Sequence, residues 1–262
     1  MEKKDCIVKT SVAPLYSKPT FKSELITQAL IWEYLIILDK KNNWYKIKQW
    51  DNYISWIHNS YIVDSDIYIK KSKLHNYHNW CYLNKTILNK KNNLLLSFGS
   101  CMPVLKEKKN GLNEVLLPNA ERIEINKKYL INNKKIIPIK DIVNYCYQLI
   151  GIPYLWGGKS SFGYDCSGFI QTLLRLNGVK FPRDCSEQIK YKKMKRIKPE
   201  RSDIGSLIFF KEKNNISHIG MFLNQFEFIH SSGCVKINSI NKKHKNFDII
   251  LFDKIYGIYK LK

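Results

Sequence analysis

Apolar positions change their rhythm near residue 137. Before that point they fall in short alternating runs. Ile26-Thr27, Leu35-Ile36-Ile37-Leu38, Trp44-Tyr45-Lys46-Ile47-Lys48 and Ile54-Ser55-Trp56-Ile57 read as strands, separated by the turn formers Ser17-Lys18-Pro19 and Lys41-Asn42-Asn43. Strands at such close spacing, with almost no helical period, predict a small β-barrel over residues 1–65. A fainter version of the cadence runs through Leu94–Ser100, Met102–Leu105 and Asn113–Pro118. A second, degenerate unit is therefore expected over 66–136.

Beyond residue 137 a 3.6-residue period takes over. Asp141, Ile142, Val143, Cys146, Leu149 and Ile150 predict a helix that Gly151 and Pro153 end. A second helical stripe (Phe169, Ile170, Leu173, Leu174, Leu176) follows Cys166 and closes at Asn177-Gly178. Alternation then returns in Ser206–Phe210, His218–Leu223, Phe226–His230 and Cys234–Ile237. Helices first and an antiparallel sheet afterwards make 137–262 an α+β domain.

Composition narrows the function classes. With 44% hydrophobic and 25% charged residues, the 262-residue chain reads as globular, not disordered. The longest apolar stretch, Ala29 to Leu38, is interrupted by Glu33 and is too short to span a bilayer. The start, Met1-Glu2-Lys3-Lys4-Asp5-Cys6, lacks the apolar core of a signal peptide. The seven cysteines show no Cys-x-x-Cys and no metal-ligand spacing. These features together predict a cytoplasmic protein with no membrane partner. The net charge of +22 invites a polyanion partner, but the basic residues are spread along the whole length. A nucleic-acid footprint clusters, so the charge reads as compositional bias and no specific nucleic-acid partner is expected.

The candidate chemistry centres on Tyr164-Asp165-Cys166-Ser167-Gly168. Asp165 suits a helix N-cap, because its carboxylate accepts bonds from orphan amides. Cys166 then falls in the first turn, where the helix dipole and free N–H groups favour a thiolate and an oxyanion. A nucleophilic cysteine needs a base, and His218 and His230 lie twelve residues apart on consecutive strands. A two-residue loop between them would turn His230 away. A three-residue loop or a bulge would set both imidazoles on one face. On these residues alone Cys166 is as readily a buried filler as a nucleophile. Cys146, Cys185 and Cys234 read as structural, as do His58, His75, His78 and His244.

Five ordered runs carry a family resemblance: Gly151–Gly158, Asp165-Cys166-Ser167-Gly168, Phe181-Pro182-Arg183-Asp184, Asp203–Phe210 and Ser217-His218-Ile219-Gly220. With Phe228-Ile229-His230 they resemble the NlpC-type papain-like cell-wall endopeptidases. The Trp-Tyr-x-Ile strand and late Trp-Ile of the first unit resemble bacterial SH3-like domains. The resemblance implies an α+β papain-like cysteine peptidase domain behind one or two SH3-like barrels, with Cys166 as nucleophile, His218 as base and His230 as third member. It implies Tyr154, Asp165 and Ser167 along the substrate cleft and no cofactor or metal.

The whole chain is similar to the subgroup that cleaves the γ-D-Glu to diamino acid bond of murein peptides bearing a free N-terminal L-Ala. That similarity implies a murein-peptide substrate, with Asp165, Tyr53 and Glu24 as candidates for holding the ammonium. Cys185 departs from the pattern, which has a small residue or serine there. A papain-like amidase or acyltransferase, or a non-catalytic wall-binding module, remains the alternative. The diamino acid accepted and the oligomeric state are not legible.

Overall fold

The computed structural model describes residues 5–64, 80–82, 86–89, 94–132 and 135–262. It divides into two compact units. The first comprises Met1–Ile136 with Lys159–Ser161 and Leu176–Gly178; the second comprises Ile137–Gly158, Phe162–Arg175 and Val179–Lys262. His75 and His78 lie outside the described residues.

The first unit opens with β1 (Asp5–Val8), β2 (Val12–Tyr16), β3 (Leu25–Leu30), β4 (Tyr34–Lys41), β5 (Trp44–Lys48), β6 (Ile54–His58) and β7 (Ile62–Asp64). They form one antiparallel sheet in the order β3-β2-β6-β5-β4-β1-β7. Its core is the inward set Val8, Ala13, Leu15, Ala29, Leu35, Ile47 and Ile57, each fully buried. β2 is not among the strands the sequence pattern predicts, and it contains Pro14, which has no N–H to give a ladder. β2 meets β6 only at Tyr16↔Trp56, so Pro14 sits on a nearly open edge. Glu33, which interrupts the apolar run, is buried beside Lys159 of β16 (Lys159–Ser160), 3.6 Å away, and accepts a bond from Gln49.

The second stretch holds β8 (Trp80–Tyr82), β9 (Thr86–Asn89), β10 (Leu94–Ser97), β11 (Cys101–Met102), β12 (Val104–Glu107), β13 (Leu112–Leu116), β14 (Arg122–Asn126) and β15 (Leu130–Asn132). We propose that it is the second, degenerate SH3-like unit. The local order supports this. β4-β5-β6, a 3-10 turn at Asn59–Tyr61 and β7 are matched by β12-β13-β14, a 3-10 turn at Lys127–Tyr129 and β15. Both turns are capped alike, by His58 accepting from Ser60 N–H and Asn126 accepting from Lys128 N–H.

The second unit carries α1 (Ile139–Tyr147), which buries Ile142, Val143 and Cys146, and α2 (Cys166–Arg175), whose residues from Cys166 to Leu174 are all buried. A helix buried all round must lie inside the core. Between them is β17 (Gly163–Tyr164), and after α2 comes α3 (Cys185–Gln188). The sheet is antiparallel, in the order β18 (Met194–Ile197), β23 (Ile255–Leu261), β19 (Leu207–Glu212), β20 (Asn215–Phe222), β21 (Glu227–Ser232), β22 (Cys234–Ser239), with α4 (Ile249–Asp253) before β23. Ile208, Phe210, Phe222, Phe228 and Ile258 form an apolar cluster on it. The domain is α+β, as its sequence order predicts.

Candidate functional site

Asp165 stands immediately before α2 and organises its first turn. Its Oδ1 accepts from Gly168 N–H at 2.7 Å and from the Ser167 hydroxyl at 3.2 Å. Arg183 clamps the same carboxylate, Nη1 to Oδ1 at 3.1 Å and Nη2 to Oδ2 at 2.5 Å, and also donates to Ser167 Oγ at 2.9 Å. Arg183 is 2% and Asp165 7% exposed, so this is a buried, bidentate ion pair. Gly168 lets the preceding loop close against the helix: a Cβ there would lie 2.3 Å from the Gly158 carbonyl oxygen. The result holds Cys166 at the helix N-terminus, almost enclosed.

The two histidines meet because of a three-residue loop. Leu223 N–H donates to Glu227 O, and β20 pairs β21 as Met221↔Ile229 and Phe222↔Phe228. Asn224-Gln225-Phe226 therefore form the loop, which sets His218 diagonal to His230 on one face. Gly220 lies between: a Cβ there would come within 3.3 Å of His230 Cβ and 2.9 Å of the Phe228 ring. Its missing side chain lets the rings approach, with His218 Nε2 and His230 Nδ1 2.7 Å apart. His218 lies near enough to Cys166 to lower its thiol by hydrogen bonding and charge.

The protons in this relay follow from its far end. Asn238 Nδ2 donates to the Asn246 carbonyl, which only accepts, so Asn238 Oδ1 faces His230 Nε2 at 2.8 Å as an acceptor. His230 Nε2 then carries the hydrogen and its Nδ1 accepts from His218 Nε2–H. That leaves Nδ1 of His218 open to take a proton. Burial, then the neighbouring His218 charge, push His230 down from 6.5 to about 3, against the Asn238 bond, so it stays neutral.

A pH signature follows. Unfolded, His230 takes a proton near its ordinary value; folded, it resists until about 3. The unfolded state thus binds more protons between these values, and stability is lost as pH falls through that window. Urea unfolding is expected to show His230 costing about 2 kcal/mol between about pH 6.5 and about pH 5. His230→Asn should remove that part of the pH slope; an unchanged slope would refute the buried neutral imidazole.

Cys166 is lowered from the usual thiol range, chiefly by a hydrogen bond from Cys185, with burial opposing and His218 adding a bond and charge. Tyr154 is pushed up to about 12, by burial and then by the charges of Cys166 and Asp165, and so keeps its O–H.

Cys166, His218, His230, Asp165, Ser167 and Tyr154 all belong to the second unit. Tyr53 and Glu24 belong to the first. Tyr53 is half-buried in the β5–β6 turn, its N–H donating to Asp51, and Glu24 is exposed just before β3. Three further residues of the site stand outside the sequence expectations. Cys185, read as structural, has its Sγ 3.6 Å from Cys166 Sγ. Arg183 lies inside one of the motif runs without a role there, and Asn238 has no signal beyond its place on β22, where Phe228↔Asn238 sets it two residues from His230's partner Lys236 on the same face. Among the described residues no group of three His, Cys, Asp or Glu side chains is placed to hold a metal. No helix among them is long and apolar enough to cross a membrane.

Residues 151–251 match the NlpC/P60 family and residues 11–63 match the bacterial SH3 domain. The chain is similar to the NlpC/P60 family over residues 151–251. The NlpC/P60 match contains α2, β20 and β21, the elements that bear Cys166, His218 and His230. A gamma-D-glutamyl-L-lysine dipeptidyl-peptidase from Bacillus cereus (strain ATCC 10987 / NRS 248) is 28% identical over 81% of this chain and 68% of its own length. Another of that name, from Bacillus subtilis (strain 168), is 32% identical over 52% of this chain, which spans 46% of that relative. The crystal structure of an NlpC/P60 family protein from Bacillus cereus ATCC 10987 aligns with a TM-score of 0.82 over 97% of this chain and 98% of that one, at 22% identity. The fold is thus a papain-like NlpC/P60 domain behind an N-terminal SH3 domain.

Proposed function

We propose that this protein hydrolyses the γ-D-Glu to diamino acid bond of peptidoglycan peptides, with Cys166 as nucleophile, His218 as base and His230 as orienter. The observation that carries the proposal is the relay from Cys166 through His218 and His230 to Asn238, set on a helix N-terminus. Cys166 attacks the γ-carbonyl carbon of D-Glu as a thiolate. Amides of the first turn of α2 stabilise the oxyanion, as helix N-termini do. The imidazolium of His218 gives its proton to the leaving amine, and water then hydrolyses the thioester with His218 as base. His230, neutral and held by Asn238, keeps the His218 ring oriented. Tyr154 offers a protonated hydroxyl to the bound peptide, and Ser167 and Asp165 shape the helix end beside it.

The names of the relatives support the γ-D-Glu linkage. The further step, selection of a free N-terminal L-Ala by Tyr53, Glu24 and Asp165, draws on the resemblance of the whole chain to that subgroup. Both Asp165 oxygens already serve Arg183. Seven free cysteines support action in the reducing cytosol, on released wall peptides.

L-Ala-γ-D-Glu-L-Lys and its diaminopimelate counterpart are the substrates to assay, by mass spectrometry of the released L-Ala-D-Glu. Acetylating the N-terminal amine should lower kcat/KM by about 100-fold or more, the scale of one lost charge-assisted contact. Equal turnover of acetylated and free peptides would remove the end-group selection and leave the peptidase standing. No release of L-Ala-D-Glu from either peptide would remove the proposed linkage.

A further inference from the structure

Cys185 is a buried thiol that the proposed mechanism uses only as a hydrogen-bond donor to Cys166, never as a nucleophile. Its Sγ lies 3.6 Å from Cys166 Sγ, and the two residues are 8% and 7% exposed. Both sit at the starts of helices, and the helices are tied together. Gln188 of α3 donates to the carbonyl of Ser167 in α2 at 3.1 Å and to that of Pro182 at 2.8 Å. A disulfide needs its sulfurs ~2 Å apart, so side-chain rotation of well under one bond length at each cysteine closes the gap. We propose that Cys166 and Cys185 form a reversible disulfide when the protein meets a hydroperoxide, a modification site that masks the Cys166 sulfur and protects it.

The chemistry balances. The Cys166 thiolate attacks an oxygen of the hydroperoxide, the O–O bond breaks, and the departing alkoxide or hydroxide takes up a proton. Cys166 is left as a sulfenic acid. The Cys185 sulfur then attacks the Cys166 sulfur, the S–O bond breaks, and the leaving hydroxide takes the Cys185 proton as water. Two thiols lose two electrons and the hydroperoxide gains them, giving the disulfide, an alcohol or water, and one water. Exchange with a dithiol reverses the product.

The charge pattern around the pair supports this order of events. Cys166 is lowered from the ordinary thiol range and Cys185 is raised, first by its bond to Cys166 and then by burial. Sulfenic acid formation removes the negative partner that holds the Cys185 proton. Cys146 makes a contrast in the same unit: it donates to the Ile142 carbonyl at 3.2 Å, and burial pushes it up to about 12.

The test uses the full chain, hydrogen peroxide, alkylation of the remaining thiols and non-reducing peptide mapping. Mapping separates this pair from Cys81 and Cys101 of the first unit, which are also neighbours at 2.6 Å. The expected result is a cross-linked species joining the Cys166 and Cys185 peptides, lost on treatment with dithiothreitol. In Cys185→Ser, and in Cys185→Ala should the serine variant fold poorly, Cys166 should overoxidise to sulfinic acid about tenfold faster than in the wild type. Wild-type Cys166 that reaches sulfinic acid without the cross-link, or at the variants' rate, overturns the proposal. The mapping reads the thiols directly, so it stands apart from the peptidase assignment. Hydrolytic rate falling and returning with the cross-link would join the two.

Discussion

Cys166→Ala is expected to lower kcat/KM for L-Ala-γ-D-Glu-L-Lys by about four orders of magnitude or more, with the fold intact. The covalent route has no substitute for the sulfur: alanine offers no nucleophile, and free water lacks the position that α2 confers. Cys166→Ser should be almost as inactive, because a hydroxyl does not ionise where a thiol does. His218→Ala should fall within about tenfold of Cys166→Ala, and the double variant should be no worse, since the two act as a unit. Circular dichroism and thermal unfolding exclude misfolding, and initial rates decide. A Cys166→Ala protein that keeps more than about a hundredth of the rate would leave the relay a structural feature. A wild-type protein with no hydrolytic rate, whose wall binding is indifferent to thiol alkylation, would instead be a wall-binding module.

Arg183→Leu is expected to destabilise the second unit by about 3–5 kcal/mol, the usual cost of stranding one partner of a buried ion pair. Both side chains are nearly inaccessible, so solvent does not dilute the effect. The substitution leaves Asp165 charged and holding only the Gly168 amide and the Ser167 hydroxyl. Adding Asp165→Asn to Arg183→Leu removes the orphan charge while keeping an N-cap, and should recover about 1–2 kcal/mol. A urea-unfolding double-mutant cycle measures the coupling. Simple additivity of the two substitutions would show that the clamp carries no special weight. Because the clamp holds the first turn of α2, the Arg183→Leu protein should also alkylate Cys166 more slowly at neutral pH.

The strands of the second unit were legible from Leu207 to Ile237 because their apolar residues are inward on one sheet and alternate with short turns between. β18 and β23 were not read. Met194-Lys195-Arg196-Ile197 has too little apolar contrast, and β23 pairs with β18 and β19, which lie far from it along the chain. The helix start at Cys166 was readable from Asp165 and the apolar stripe after it. The sequence permits two loops between the histidines, and Leu223↔Glu227 bonding selects the three-residue form.

The sequence by itself determined the fold class, the family resemblance and the residue types that thiol chemistry needs, because those depend on local periodicity and ordered motifs. Only the tertiary structure decided what surrounds Cys166. Arg183 clamps its helix cap, Cys185 sets its sulfur beside it, and Asn238 fixes the protons of the histidine relay. Each of those three comes from a separate element, seventeen to seventy-two residues further along the chain. No local pattern records such contacts, since burial and hydrogen bonding between distant segments exist only once the chain has packed.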